Sequence, residues 1–509
     1  MFKSYSQKVF GLILFAACMK MIVAPFLELG NDEVYYWTYA LQLDFNHFDH
    51  PPLVGFLIRA STLNMHWVSE LSMRMGAIIS ASIGCYFVFK TTTHLSNQRA
   101  GWYAALLYQA GVYTGFIAGF FILPDSAQLI FWTGSLYVMS LLLFANKEKQ
   151  IRYWLLLGIL IGLATLSKVH GLFLWVGFGA YLLFTNYKKI FSWPFIMAVC
   201  VTLLCIVPIV YWNVINDFIT YRFHSERVTH TGINIASFAT EIVGEVLYQN
   251  PFVYILMAAA ILGFKSISFQ QKNSGRWLLW MSIPLIIIFW MVAVFNPTLP
   301  HWSGPAFIPL MILAGIYIDQ KKQSWSVYVL RTSVVIVFAI LLLLVLIVQK
   351  YPGNFGSQNN ENLGEYCPTL DLSGWKNFSV AFNSLAAQDQ SNHTMSVAPF
   401  IVVGKWFPAG HLEFYTARTT GLTLMGIGPL QDLHKFAWLN KERQAIAIGS
   451  DAYCIVPSNV PFDVVGAYGS YFTTIDPPIR IDQKRSGVVV RYFLVYRLYG
   501  CTKVPQPIL

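Results

Sequence analysis

Eleven apolar stretches, each close to the length of a membrane-crossing helix, recur along the first 350 residues. A helix needs about 20 apolar residues to cross the hydrocarbon core of a bilayer. Only 11% of the residues are charged, whereas a soluble globular chain has about 25%. The sequence therefore predicts an all-α polytopic membrane bundle of about eleven helices, at about 9–27, 75–90, 100–120, 126–145, 152–167, 171–186, 194–213, 251–266, 277–296, 303–319 and 326–349.

The basic residues between these stretches predict the orientation of the bundle, because Lys and Arg accumulate in cytoplasmic loops. One set of alternate loops holds fifteen: Lys3, Lys8, Lys90, Arg99, Lys147, Lys149, Arg152, Lys188, Lys189, Lys265, Lys272, Arg276, Lys321, Lys322 and Arg331. The other set holds five: Arg59, Arg74, Lys168, Arg222 and Arg227. The N-terminus is then cytoplasmic, and loops 28–74, 121–126, 214–250 and 297–302 face outward with the tail. This pattern accounts for the net charge of +10, so no nucleic-acid partner is expected.

A change in composition near residue 351 predicts a second domain. The segment YPGNFGSQNNENLGEYCP is polar and rich in turn-forming residues, as is typical of a linker. Four short β-type runs follow, VAPFIVVG, TGLTLMG, AIAIGS and YCIVPS, and then a hairpin turning at Arg485-Ser486-Gly487. Helices are expected near 375–388 and 429–441. The prediction is a transmembrane domain over 1–350 and an outward-facing α/β domain over 351–509.

The first outward loop carries two adjacent acids directly after the first apolar stretch. It reads LELGNDEVYYWTYALQLDFNHFDHPPLVGFLIR, with Asp32 and Glu33 followed by an aromatic run that includes Tyr36. An acid pair at the membrane boundary costs desolvation unless it has a partner or a task, which favours function over a merely solvated loop. The aromatic rings are typical of a sugar-stacking surface. Further on, Asp49 and His50 precede two prolines that make a rigid turn.

A third acid, Asp125, lies in the short outward loop of GFFILPDSAQLIFW. One interpretation is structural, with Asp125 capping a helix that begins at Ser126. The other is catalytic, because a loop this short keeps Asp125 near the outer membrane face and therefore at the depth of Asp32. Two carboxylates there could orient an acceptor hydroxyl and take its proton.

Cations on the outward side are candidates for binding a phosphate. Lys168 lies in a break between two apolar stretches, where it could snorkel to the interface or bind a phosphate beside a helix N-terminus. Arg222 and Arg227 belong to the only basic outward loop, WNVINDFITYRFHSER, and arginine suits bidentate phosphate contacts. Trp302 fits an interfacial tryptophan or a substrate contact.

A required metal is the less favoured interpretation of the outward histidines. His47, Asp49 and His50 could supply ligands, as could His224 and His230. Proline-bound turns, however, do not present ligands at helical spacing. No cofactor is therefore predicted, and a divalent metal is left open.

Taken in order, these motifs resemble those of the GT-C superfamily of polyprenyl-phosphate-dependent glycosyltransferases. The resemblance is greatest to the bacterial branch that contains protein O-mannosyltransferases and the lipid A aminoarabinose transferase. It rests on NDEVYYW, FDHPPL, LPDSAQLIFW, LSKVHGLFLW, WNVINDFITYRFHSER and HWSGPAF, which reach from about residue 30 to 310. A softer likeness runs from DLSGWKNF to EFYTAR in the tail.

The resemblance implies a GT-C bundle with a periplasmic cavity open to lipid, in a bacterial inner membrane. Asp32 matches the first-loop catalytic aspartate and Asp125 the second acidic position. The implied reaction is displacement at the anomeric carbon of a polyprenyl-phosphate sugar by a lipid, glycan or protein hydroxyl. The implied substrate-binding residues are Glu33, Tyr36, Asp49, His50, Lys168, Arg222, Arg227 and Trp302.

Departures from the aminoarabinose transferase pattern bear on the substrate. Asp49 and His50 stand where that pattern has Glu-Lys, and Val34-Tyr35 where it has Ala-Arg. These differences weaken the case for an aminoarabinose donor and leave other sugars open. The alternatives of other classes are a transporter or flippase for a lipid-linked saccharide, and a membrane hydrolase or phosphotransferase.

Overall fold

The computed structural model describes residues 4–145, 149–226 and 232–504, and the chain divides into two compact units. Unit 1 comprises Met1–Ile22, Asp44–Trp67 and Leu71–Leu341. Unit 2 comprises Val23–Leu43, Val68–Glu70 and Leu342–Leu509. The first outward loop therefore contributes to both units. The predicted domain boundary at residues 350 and 351 stays a prediction.

Unit 1 is built from helices joined by short turns. A π-helix lies at Val112–Ile117, and short 3₁₀ turns lie at Val169–Leu172, Tyr187–Lys189, Phe264–Ser266 and Gly304–Phe307. The α-helices, of which three extend into unit 2, are Tyr5–Val23, Leu53–Ser61, Glu70–Leu95, Gln98–Ala110, Ala118–Phe120, Pro124–Phe144, Ile151–Ser167, Phe173–Asn186, Trp193–Ile215, Ile219–Glu226, Ile235–Tyr248, Pro251–Leu262, Ser274–Trp280, Ile283–Ala293, Ile308–Lys321 and Ser324–Lys350.

The chain is a multi-pass membrane protein. Within the described ranges, seven helices are long and apolar enough to cross a bilayer, and a bent pair, Ile235–Tyr248 with Pro251–Leu262, would make an eighth. The two helices of that pair meet at 99°, where Asn250 has a positive φ. Each predicted stretch coincides with helical structure, but the count of eleven spans is not confirmed. Several helices are too short for the roughly 20 residues that a crossing needs, such as Ile308–Lys321 with 14 residues.

Small residues let the helices of unit 1 approach closely, since lipid supplies no hydrophobic force between them. A Cβ added at Gly315 would lie 2.8 Å from the Cβ of Ala104 on the neighbouring helix. A Cβ at Gly158 would collide with the backbone carbonyl oxygen of Ala198. These close contacts fix how neighbouring helices of unit 1 pack against each other.

Unit 2 is an α/β domain, as predicted, and its strands form one six-stranded mixed sheet. The strands are β1 Phe400–Val403, β2 Leu424–Gly426, β3 Ala452–Pro457, β4 Phe472–Ile475, β5 Ile479–Arg485 and β6 Val488–Cys501. Their order is β2-β1-β3-β6-β4, with β5 also paired to β6. β1 is parallel to β2 and β3, whereas β6 is antiparallel to its partners. The helices are Asn31–Leu41, Trp375–Ser391, Trp406–His411, Arg418–Thr420, Leu430–Leu433, Phe436–Glu442 and Val464–Tyr468, with 3₁₀ turns at Ala24–Phe26 and Asn360–Asn362 and a π-helix at Leu412–Ala417.

Local sequence predicts most of the elements in unit 2. The hairpin forms with Ser486 and Gly487 at φ 48° and 85°, the positive values that a two-residue turn of this kind requires. The expected helices near 375–388 and 429–441 are also present. The strand expected at AIAIGS is wrong, because these residues form a loop and a turn. Ile446 is buried in the core beside the sheet, whereas Ile448 is 73% exposed, so of the two isoleucines only Ile446 packs inward.

Candidate active site

A buried ion pair lies in unit 1 between two predicted site residues that are 43 positions apart in the chain. The Nζ of Lys168 lies 2.9 Å from both carboxylate oxygens of Asp125. Each side chain is 4% exposed, and the Tyr113 hydroxyl donates to Asp125 Oδ1 at 2.9 Å. Buried charges persist where they are paired and hydrogen-bonded. The interpretation of Lys168 as a lysine snorkelling to the interface is therefore wrong.

The ends of two helices position this pair. The Pro124–Phe144 helix places Asp125 in its first turn. The Ile151–Ser167 helix ends just before Lys168, whose backbone carbonyl accepts a hydrogen bond from Gln128 Nε2 at 3.1 Å. Asp125 does not cap a helix that begins at Ser126, as one interpretation had it. The helix begins at Pro124, and Ser126 Oγ instead accepts from the backbone N–H of Leu123 at 3.1 Å.

Two neutral histidines lie within electrostatic range of the ion pair. Burial, the largest effect, lowers the pKa of His50 to about 4, with opposing contributions from Lys168 and Asp125 among others. Burial likewise lowers the pKa of His301 to about 4, and the same two charges act on it. Both rings are therefore uncharged near pH 7 and can donate or accept hydrogen bonds.

Three further ring side chains, His170, Phe289 and Trp302, pack together in unit 1. The centroid of the His170 ring lies 5.2 Å from that of Phe289 and 6.3 Å from that of Trp302. The predicted site residue Trp302 is half-buried against these two rings. It therefore has a packing contact in unit 1, and a contact with substrate stays a prediction.

The segment that carries Asp49 and His50 docks on the Ile219–Glu226 helix within unit 1. Thr220 Oγ1 accepts from Asn46 Nδ2 at 3.0 Å and donates to the His47 carbonyl at 3.1 Å. His224 Nε2 lies 2.7 Å from the Asp49 carbonyl oxygen. This helix therefore presents His224 to the candidate residues.

Of the two predicted phosphate-binding arginines, the structure describes Arg222. Arg222 is exposed, and its guanidinium donates to the backbone carbonyl of Asp217. Arg227, together with His230, lies outside the described residues. A role for either arginine in binding phosphate stays a prediction.

The structure distinguishes the two adjacent acids of the first loop. Both lie in the first turn of the Asn31–Leu41 helix, where the helix dipole favours a carboxylate. Glu33 is 2% exposed, and its Oε2 accepts from the Gly30 N–H at 2.9 Å, so it caps the helix. Asp32 is exposed, and a catalytic role for it stays a prediction. Asp32 belongs to unit 2 and Asp125 to unit 1, and their common depth stays a prediction.

The aromatic run after these acids is largely buried in unit 2. Tyr36 is 6% exposed, and its ring centroid lies 5.4 Å from those of Tyr35 and Tyr39. Trp37 packs edge-on against Phe414 at 5.3 Å. These aromatic side chains therefore pack against other rings inside unit 2. Stacking of a sugar on Tyr36 stays a prediction.

A separate cavity of about 430 Å³ opens at the carboxyl ends of β1 and β2. Its walls include Gly404, Ile427, Leu433, Phe462 and Tyr471. None of the residues that line it was predicted as a site residue. The candidate residues therefore do not belong to the crevice at the end of the sheet, where ligands bind in many open α/β folds.

Sequence reasoning left several neighbours of the site out of its predicted residues. His170 and His301 stand beside predicted residues in quoted motifs, so proximity in the chain was an available signal. Tyr113 lies in an apolar stretch, where no local pattern marks it. Among the described residues, no group of three or more His, Cys, Asp or Glu side chains is arranged to hold a metal.

Comparisons with known proteins relate this architecture to glycosyltransferases. Residues 49–212 match the dolichyl-phosphate-mannose-protein mannosyltransferase family. The chain is 24% identical over 294 residues to the lipid A galacturonosyltransferase RgtD of Rhizobium johnstonii. That match covers 56% of this chain and 59% of RgtD, so the chain spans less than two thirds of the length of that relative.

Two crystal structures of ArnT from Cupriavidus metallidurans share the fold over nearly the whole chain. The structure bound to undecaprenyl phosphate aligns with a TM-score of 0.63 at 15% identity, covering 97% of this chain and 98% of ArnT. The apo structure aligns with a TM-score of 0.60 at 14% identity and the same coverage. The predicted resemblance is confirmed by these matches, and the chain has the fold of the GT-C superfamily of glycosyltransferases.

Proposed function

We propose that this chain is an integral membrane glycosyltransferase that moves a sugar from a polyprenyl-phosphate carrier to an acceptor hydroxyl. The observation that carries this proposal is the buried Lys168–Asp125 pair, with neutral His50 and His301 in electrostatic range. The site faces the periplasm of a bacterial inner membrane. Two relatives support the choice, since RgtD is named as a lipid A galacturonosyltransferase and ArnT binds undecaprenyl phosphate.

The unit 1 residues suit a phosphate monoester or diester. Lys168 supplies a fixed positive charge in a buried setting, where a preorganised charge acts strongly on developing negative charge. His50 and His301 are uncharged and can donate hydrogen bonds to phosphate oxygens without the cost of burying further charge. Arg222 and Arg227 would add bidentate contacts from the outward loop.

Asp32 is the general base in this proposal. Its carboxylate takes the proton of the acceptor hydroxyl, and the hydroxyl oxygen forms a bond to the anomeric carbon of the donor sugar. The bond between that carbon and the phosphate oxygen breaks, and the polyprenyl phosphate leaves with the electron pair. Exposure of Asp32 at a helix N-terminus fits this role, whereas buried Glu33 maintains the helix start.

The direct test is transfer by the purified protein in lipid nanodiscs. Polyprenyl-phosphate galacturonic acid with lipid A is the first substrate pair to offer, followed by hexose donors and by glycan or protein acceptors. Product is detected as a mass increase of the acceptor. Asp32→Asn should abolish transfer and leave the melting temperature unchanged, whereas the control Asp476→Asn should leave transfer intact. Full activity in Asp32→Asn would remove the mechanism.

Orientation has a separate test. A periplasm-active reporter fused after Leu509 should be active, because the basic residues favour a cytoplasmic N-terminus and the predicted odd number of spans then leaves the tail outside. A reporter active only in the cytoplasm would overturn the periplasmic placement.

One observation favours a transporter of lipid-linked saccharide as a second candidate. Glu241 and Glu245 are fully buried on the Ile235–Tyr248 helix, which belongs to the bent pair of apolar helices. Their carboxylates accept hydrogen bonds from Thr298 at 2.7 Å and Trp290 at 2.8 Å. Acids within a broken membrane helix are typical of transport pathways. Flipping of a fluorescent polyprenyl-phosphate saccharide across vesicles, lost in Glu245→Gln, would support transport over transfer.

A further inference from the structure

The first turn of the Asn31–Leu41 helix is held by two side chains from distant parts of unit 2. Asn31 Nδ2 donates to Asp371 Oδ2 at 2.9 Å. Asn31 Oδ1 lies 2.9 Å from His411 Nε2, and an amide oxygen can only accept, so His411 donates from Nε2. Asn31 therefore uses both ends of its amide, and it immediately precedes Asp32.

The two partners of Asn31 are themselves fixed by close packing. The rings of His411 and Trp375 stack with centroids 4.1 Å apart and planes 7° from parallel. The Arg491 guanidinium lies 4.4 Å from the centroid of Trp375 and donates to the Ser373 carbonyl at 2.9 Å. The segment from Asp371 to Trp375 is thus held against β6, and Asn31 is held by that segment.

Asp371 and Asp32 also interact through charge. Burial raises the pKa of Asp371 to about 7, Arg491 opposes that rise, and the Asp32 carboxylate adds to it. Glu28 and Arg485 act on Arg491 in turn, and the Arg491 charge helps burial to lower the pKa of His411. Like charges in one site disfavour joint ionisation, so the protonation of Asp371 and that of Asp32 depend on each other.

We propose that Asp371 is a positioning residue for Asp32. Through Asn31 it sets the orientation of the helix turn that presents Asp32, and through its charge it influences when Asp32 can accept a proton. This inference rests on the proposed function, in which Asp32 is the general base. Asp371 stands 340 positions from Asn31, so no local spacing in the sequence relates the two residues.

The two contributions of Asp371 can be separated by two substitutions. Asp371→Asn keeps an oxygen that can accept from Asn31 but removes the charge, so kcat at its optimum should stay within about threefold of wild type. The wild-type pH profile should show an inflection near pH 7 from Asp371, and the Asp371→Asn profile should lack it. Asp371→Ala removes the acceptor as well, and kcat should fall about 10- to 100-fold with KM little changed, because a small misplacement of a catalytic group is costly.

A double-mutant cycle tests whether Asp371 acts through Asn31. Asn31→Ala should lower kcat as Asp371→Ala does, and the double variant should be no worse than either, because residues acting as one unit are not additive. Asp476→Ala is the matched control. It removes an aspartate of the same unit whose carboxylate accepts a hydrogen bond from the Tyr499 hydroxyl. It should change neither kcat nor the pH profile.

Three outcomes would overturn the inference: additive losses in the double variant, a kcat for Asp371→Ala within twofold of wild type, or an unchanged pH profile in Asp371→Asn. Failure of the proposed function is a different result, with no transfer by wild type from any donor offered. In that event, hydrogen–deuterium exchange of a peptide covering residues 28–36 still decides the positioning claim. Exchange should speed up in Asp371→Ala and not in Asp476→Ala, and equal exchange in both would refute it.

Discussion

Replacing Lys168 by methionine removes one half of the buried ion pair and nearly preserves side-chain volume. At the observed 2.9 Å and an effective dielectric constant of about 20, the attraction between the two charges is about 6 kcal/mol. Desolvation offsets part of this, and breaking a buried pair typically costs about 3–5 kcal/mol because the other charge is left uncompensated. Lys168→Met should therefore destabilise unit 1 by about that amount.

The assay combines thermal unfolding in detergent with the transfer measurement. At roughly 2 °C per kcal/mol for a chain of this size, Lys168→Met should lower the melting temperature by roughly 5–10 °C. The double variant Lys168→Met/Asp125→Asn has no buried charge left at this position, and the amide oxygen that replaces the carboxylate can still accept from Tyr113. It should therefore recover most of the lost stability while remaining inactive.

The reasoning is refuted if Lys168→Met has the same melting temperature as wild type. It is also refuted if the stability lost by the double variant equals the sum of the losses in Lys168→Met and Asp125→Asn. In the first case the pair contributes no net stabilisation. In the second case the two charges are not coupled. A stable double variant with full transfer activity would instead remove Lys168 and Asp125 from the proposed chemistry.

Three further predictions concern other features. His50 and His301 have pKa values of about 4 in the folded protein, whereas histidine in an unfolded chain has a pKa of about 6.5. The unfolded state therefore binds more protons, and stability should fall as pH drops from about 6.5 to 4. The measurement is melting temperature against pH. Gly158→Val should lower melting temperature and yield, because the added carbons meet the Ala198 carbonyl oxygen; wild-type stability would contradict this packing. Arg222→Ala should weaken binding of undecaprenyl phosphate about tenfold while transfer at saturating donor persists, and unchanged affinity would make that loop merely interfacial.

Much of unit 2 could be predicted locally because turns and short strands depend on neighbouring residues. The Ser486-Gly487 hairpin is an example, since positive φ at both positions is a property of the turn itself. The AIAIGS run shows the limit of this reasoning. Its composition suits a strand, but strand formation also depends on cross-strand neighbours and burial. Ile446 is buried whereas Ile448 is 73% exposed, and the run forms a loop and a turn.

Site residues divide along the same line. Asp32, Asp125, Lys168 and His50 stand in motifs whose residue types and order were recognisable in the sequence. That Lys168 pairs with Asp125, and that Glu33 rather than Asp32 caps its helix, required contacts that no spacing encodes. Asp32 and Glu33 are adjacent acids that the sequence does not distinguish. The structure shows that Glu33 is buried and that Asp32 is exposed.

The sequence by itself determined that the chain lies in a membrane, because the scarcity of charge and the recurring apolar stretches leave lipid as the solvent. It also predicted which face should carry chemistry, through the distribution of basic residues. Tertiary structure alone decided which charges meet. The fold brings buried Lys168 to Asp125, and the contacts of Asn31 with Asp371 and His411 join residues hundreds of positions apart.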